Sequence, residues 1–165
     1  MRPPEYVEWT HDGKTFKQVS PAWKRELLFD YAKRFNLRTF VETGTCGGDT
    51  IAALYDHFDK LYSIEVHGYV YSLGSERFKG DPKVTMIYGD SAVELPRLLY
   101  RITEPALYWL DAHLDGPANG YGLANPLMTE ISAIMSQKKE GIILVDDLDF
   151  ARPAEWHNGV LRITL

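Results

Sequence analysis

Five carboxylates recur at one kind of place in this chain. Glu42, Glu65, Asp90, Asp111 and Asp146 each close, or directly follow, an apolar run rich in β-branched and aromatic residues. Carboxylates accept hydrogen bonds from hydroxyl and amino groups and hold hard cations, and gathered without a partner they repel one another. The first opens Glu42-Thr43-Gly44-Thr45-Cys46-Gly47-Gly48, a glycine-rich turn. Glycines there let backbone N–H groups approach a ligand closely. Glu65 lies 21 residues after Gly44, about the distance at which open α/β sheets set an acid against a ribose. A helix cap explains any one of these acids, since acids favour the first turn. Five together call for a bound cation or hydrogen-bond donor.

Asp111, Asp146 and Asp147 form a second constellation. Three carboxylates from neighbouring strand ends are oxygen ligands suited to Mg²⁺ or Mn²⁺ rather than zinc. The alternative is a water-filled acidic cleft. His113 follows Asp111 by two positions, so in an extended segment both side chains point the same way. It is a candidate base for a substrate hydroxyl, a candidate metal ligand, or a hydrogen-bonded loop histidine. His67, close after Glu65, borders the ribose or adenine side of the same place. The lone cysteine, Cys46, has no histidine nearby in sequence and reads as a small residue tolerated by the turn, not a nucleophile.

The elements that must carry these residues alternate. Strands are expected at 39–43, 60–65, 84–88, 105–111 and 141–146, with helices at 48–58, 69–78, 92–100 and 126–138 between them. A further helix starts at Ser20-Pro21, with Ser as the cap and Pro in the first turn. Its Leu27, Leu28, Tyr31 and Phe35 share a face. Apolar strands alternating with helices imply a mostly parallel sheet covered on both sides. The expected fold is therefore α/β: a three-layer, Rossmann-like domain over residues 20–165, shortened at the C-terminus. Residues 1–19 read as an irregular segment. Residues 116–125, rich in Gly, Asn and Pro, read as a loop, and residues 119–125 within it as the part beside the cleft and a candidate substrate lid. One further short strand is expected at 160–165.

Bulk properties narrow the partners. The chain has 165 residues, 45% apolar and 25% charged, and a net charge of −5. That suits one globular domain and argues against nucleic acid, whose phosphates call for a basic footprint. Lys24, Arg25, Lys33, Arg34 and Arg38 cluster near the N-terminus and read as a solvated helix face. One cysteine precludes a disulfide within the chain. No apolar signal region opens the sequence and no run of 18 apolar residues crosses it, so the cytoplasm is the expected compartment and no membrane partner is expected. The exposed final sheet edge leaves room for a homo-oligomer.

Residues 39–147 resemble a class I S-adenosylmethionine-dependent methyltransferase. Glu42-Thr43-Gly44-Thr45-Cys46-Gly47-Gly48 is similar to the family's first motif. The resemblance implies that Glu42, Gly44, Thr45, Cys46 and Gly48 cradle the methionine end of S-adenosylmethionine. It places Glu65 and Val66 at the ribose, Asp90 and Ser91 at the adenine, and Asp111 facing the methyl group. Cys46 replaces the usual middle glycine, and the family's terminal strand hairpin is mostly or wholly missing from the pattern. Asp111 with Asp146-Asp147 is similar to the metal-dependent sugar O-methyltransferases of macrolide and aminocoumarin biosynthesis, which implies Mg²⁺ at those acids.

A nicotinamide dehydrogenase shares the glycine turn, but its pyrophosphate needs an uncluttered helix N-terminus. An edge carrying Glu42, Asp90, Asp111 and Asp146 opposes a diphosphate and suits a sulfonium with an amino group. The expected function is O-methylation of a small molecule or sugar, with catalytic Asp111 and His113 and an optional Mg²⁺. Two alternatives remain: a nucleoside-binding module without turnover, and a metal-dependent hydrolase built on the aspartates.

Overall fold

The apolar runs become strands because each can be buried on both faces. A computed structural model describes residues 5–11, 13–112, 125–146, 156–157 and 160–164. In chain order the strands are β1 (Tyr6–His11), β2 (Lys14–Val19), β3 (Thr39–Thr43), β4 (Lys60–Glu65), β5 (Val84–Tyr88), β6 (Ala106–Leu110), β7 (Gly141–Val145), β8 (Trp156–His157) and β9 (Val160–Thr164). The helices are α1 (Pro21–Arg34), α2 (Asp49–Leu54), α3 (Gly68–Arg77), α4 (Ser91–Leu99) and α5 (Leu127–Ser136).

The main sheet runs β5-β4-β3-β6-β7-β9-β8. Strands β3 to β7 pair in parallel, and β9 pairs antiparallel with β7. Successive residues point to opposite faces, so Phe40, Leu61 and Trp109 join one core while Val41, Tyr108 and Val145 join the other. Trp23, Leu27 and Leu28 of α1 and Ile51 of α2 cover the first face. Leu95, Leu98 and Leu99 of α4 and Leu127 and Ile134 of α5 cover the second. The result is the expected three-layer α/β fold. From β3 the chain builds outward to β4 and β5, and from β6 outward the other way to β7. Between β3 and β6 the order reverses, and the C-terminal strand ends there border the crevice where such sheets bind ligands.

Three local expectations change. Residues 1–19, read as irregular, hold the β1–β2 hairpin, which turns near Gly13 and pairs Tyr6 with Val19. Tyr6 and Val7, on opposite faces, are both exposed, so no one-sided apolar pattern marked the strand. The helix expected from Gly48 to Phe58 is a 3₁₀ turn, Cys46–Gly48, followed by the shorter α2. Gly47 and Gly48 have φ of 83° and 82°, which a right-handed helix cannot include. The terminal hairpin, read as mostly or wholly missing, is present: β9 pairs antiparallel with β8.

Ser20 caps α1 as expected, accepting from the Trp23 amide at 3.1 Å. Among the described residues no helix is long and apolar enough to cross a membrane.

Candidate functional site

The glycine turn is stitched between two strand ends. The Gly44 amide donates to the Ile64 carbonyl of β4 at 2.9 Å. Gly44 has φ +85°, and a Cβ there would stand 2.4 Å from the Asp111 carbonyl oxygen. Only glycine allows the turn to pass this close to the end of β6. Cys46 takes φ +40° without being a glycine, and Gly47 at φ +83° supplies the next left-handed position with open space around it.

The turn's amides converge on Glu65. Its Oε2 accepts from Thr45 N at 3.0 Å and from Cys46 N at 3.3 Å. Its Oε1 accepts from His67 N at 2.8 Å. Three backbone donors thus hold a carboxylate that is only 9% exposed. The N–H groups that a pyrophosphate would need are already given to a protein acid. His67 caps α3, its Nδ1 accepting from Val70 N at 3.4 Å. Val66 lies between these two anchored residues and is half-buried.

Glu42 lies beneath the turn. It is 1% exposed and accepts from the Ser63 hydroxyl at 2.7 Å. The Thr45 and Ser63 hydroxyls are 2.6 Å apart. Since Ser63 gives its proton to Glu42, Thr45 donates to Ser63, and the three form one relay. Burial pushes the Glu42 carboxyl up to about 8; the Ser63 hydrogen bond opposes this, and the charges of Asp111 and Glu65 add to it. At neutral pH Glu42 therefore keeps its proton, and the edge is less anionic than a count of acids suggests.

Asp90 is the N-cap of α4, its Oδ1 accepting from Ala92 N at 2.9 Å. Here the capping explanation holds. Ser91 is buried, and the Ser91 and Thr43 hydroxyls favour the charged form of Glu130 on α5. Glu130 is 1% exposed, and its Oε1 has no hydrogen-bond partner among the described residues. Burial raises its pKa, with Asp90 adding to the rise. Sequence reasoning missed Glu130. The signal was available: it sits three residues after Leu127 and four before Ile134, both buried, on the face of α5 that meets the core.

Asp111 and Asp146 come together at the switch point. The Asp111 amide donates to the Thr43 carbonyl at 3.1 Å, and the Asp146 amide to the Leu110 carbonyl at 3.1 Å. Asp146 is 2% exposed. Lys24, reaching from the first turn of α1, hydrogen-bonds Asp146 Oδ2 through its ammonium. Lys24 is not part of a solvated face, as the basic cluster was read. It precedes Leu27 by three and Leu28 by four, which puts it on the buried side of α1.

His113, Asp147 and most of the candidate lid lie outside the described residues. The Mg²⁺ expected at Asp111, Asp146 and Asp147 does not fit the acids seen. The cation on Asp146 is a lysine ammonium, and a divalent ion would have to displace it from a buried carboxylate.

No protein-family model matches the chain, and no curated protein sequence does. Solved structures do. A Podospora anserina methyltransferase bound to SAH aligns over 78% of this chain and 53% of its own, at 19% identity and a TM-score of 0.57. The O-methyltransferase of Streptomyces achromogenes involved in tomaymycin synthesis, in complex with SAM, aligns over 78% and 56%, at 19% identity and 0.61. A Bacillus cereus O-methyltransferase in complex with SAH aligns over 79% and 58%, at 17% identity and 0.59.

The fold is that of the class I methyltransferases. The chain spans between 53% and 58% of the length of these three neighbours. Within this methyltransferase fold, Gly44, Thr45, Cys46, Glu65, Asp90, Ser91 and Asp111 gather at the C-terminal strand ends beside the switch point. Gly48 lies deeper, against the Phe78 ring, and Glu42 lies under the turn.

Proposed function

We propose that this chain is an S-adenosylmethionine-dependent methyltransferase acting on an oxygen of a small molecule or sugar. The observation that carries this reading is Glu65, fixed by the amides of Thr45, Cys46 and His67 at the end of β4. A carboxylate so held keeps lone pairs for vicinal hydroxyls, and its donors are closed to a diphosphate. The groups present suit the cofactor: an acid for the ribose, the Asp90-Ser91 loop for the adenine, and an open glycine turn for the methionine end.

Bound S-adenosylmethionine supplies the sulfonium methyl group. The chain's own contribution is position and electrostatics. Glu65 holds the hydroxyls and thereby the register of the whole ligand, which is where most of the rate gain of a two-substrate transfer arises. Neutral Glu42 supports the turn without adding charge. Asp111, at the end of β6, is the group we assign to orient the acceptor's hydroxyl. His113 is the group we assign to accept the proton. Mg²⁺ has no part in this reading, because Lys24 holds Asp146. The same pairing weighs against a metal-dependent hydrolase. The net charge of −5 favours a small acceptor over nucleic acid.

Calorimetric titration with S-adenosylmethionine and S-adenosylhomocysteine tests the reading. Binding of both is expected, unchanged by Mg²⁺. If neither binds, the proposal fails. Binding without methyl transfer to any hydroxyl acceptor would leave a nucleoside-binding module instead.

A further inference from the structure

We infer that Lys24 supplies the positive charge of this cleft, taking on Asp146 the place that a divalent ion would take. The inference deepens the methyltransferase reading, on which it rests for the identity of the acceptor but not for the cation itself.

Four observations carry it. Lys24 belongs to the buried side of α1, whose N-terminal end is anchored by the Ser20 cap and by Pro21. The Lys24 side chain is 16% exposed and that of Asp146 is 3%. Their hydrogen bond joins residues 122 apart in sequence, so packing brings the pair together, not local chance on a surface. The Asp146 backbone is tied to Leu110, next to Asp111, so the ammonium stands at the edge where β6 and β7 end.

A buried carboxylate stays ionised only with a cation or several hydrogen-bond donors beside it, and at Asp146 an ammonium meets that need. A divalent ion at the same oxygen would face a like charge at contact distance. An ammonium can also do much of what a metal does for a hydroxyl acceptor. It donates a hydrogen bond to the oxygen and favours its ionised form. The cleft would then orient an acceptor oxygen by a side chain belonging to the fold, with no metal to load.

The test is Mn²⁺ binding, read by electron paramagnetic resonance and by the shift in Tm, on wild type, Asp146→Asn, Lys24→Gln and the double variant. Wild type should show no Mn²⁺ binding that Asp146→Asn removes, and no Tm shift. Lys24→Gln should gain Mn²⁺ binding and an upward Tm shift, both lost in the double variant. Wild-type Mn²⁺ binding that disappears in Asp146→Asn would overturn the inference. So would a folded Lys24→Gln protein with no gain. If Lys24→Gln does not fold, the wild-type and Asp146→Asn pair still decides. The same preparations titrated with S-adenosylmethionine separate the two claims: loss of cofactor binding in wild type sinks the methyltransferase reading and leaves the Mn²⁺ arms to judge Lys24.

Discussion

Lys24, in the first turn of α1, holds the carboxylate of Asp146, at the end of β7, and so ties the N-terminal helix to the crevice. Removing one partner strands a buried charge, which costs about 3 kcal/mol or more. Lys24→Met should lower stability by about that amount in urea unfolding. Adding Asp146→Asn should recover part of the loss, because the stranded charge is then gone. Equal stability of the single and double variants would show that the pair is not coupled.

Glu65→Ala should weaken S-adenosylmethionine binding at least about tenfold, a loss of about 1.4 kcal/mol, measured by calorimetry. It should also destabilise the fold by about 1–3 kcal/mol, since the Thr45, Cys46 and His67 amides lose their acceptor. Glu65→Gln should fall between. Its one carbonyl oxygen can serve either the turn or His67, and its NH₂ group then faces a donor at the other side. Wild-type affinity in Glu65→Ala would remove the ribose assignment.

Stability should depend on pH in two directions. Glu42 is raised from the ordinary 4.5 to about 8, so its folded state binds the proton more tightly. Its contribution is complete below about 4.5 and is lost as pH rises towards 8, each unit of the gap being worth about 1.4 kcal/mol. Glu130, also raised by burial, acts in the same sense. Glu104, bonded by Lys60 and Thr39 and lowered to about 2, acts oppositely: its contribution is lost as pH falls. Urea midpoints should therefore peak in mildly acid solution. Glu42→Gln should flatten the alkaline limb and leave the acid limb in place.

Two glycines three residues apart in this turn should differ sharply. Gly47→Ala meets nothing within 4 Å and bears only its left-handed φ, roughly 1–2 kcal/mol. Gly44→Ala bears the same conformation and also drives a Cβ to 2.4 Å from the Asp111 carbonyl oxygen. It should cost above about 3 kcal/mol and displace Asp111. Similar unfolding midpoints for the two variants would contradict the close approach of the turn to β6.

The sheet was legible because its strands are buried on both faces. Thr39–Thr43 and Ala106–Leu110 are buried at every position; the second appears in sequence as an unbroken apolar run, and the first as a β-branched and aromatic run that ends at Glu42 and the glycine turn. The β1–β2 hairpin was not legible, because Tyr6 and Val7 are exposed on opposite faces and leave no one-sided pattern. The glycine turn was visible as a turn, since glycine is the residue that left-handed backbone requires. Its use of Thr45 and Cys46 amides on Glu65 was not, because that depends on how β3 and β4 align.

From Ser20 to Asp146 the sequence by itself determined the order of strands and helices, the glycine turn, and which acids end the strands. Those follow from periodicity and from backbone freedom, which are local. Only the tertiary structure decided what each acid does. Glu42 is neutral because its burial outweighs the Ser63 hydrogen bond, Glu65 is clamped because the turn folds over it, and Asp90 caps a helix. Asp146 is paired because α1 packs its Lys24 against the end of β7. A charge's role depends on its burial and its neighbours, and neighbours 122 positions away are set by packing, not by spacing.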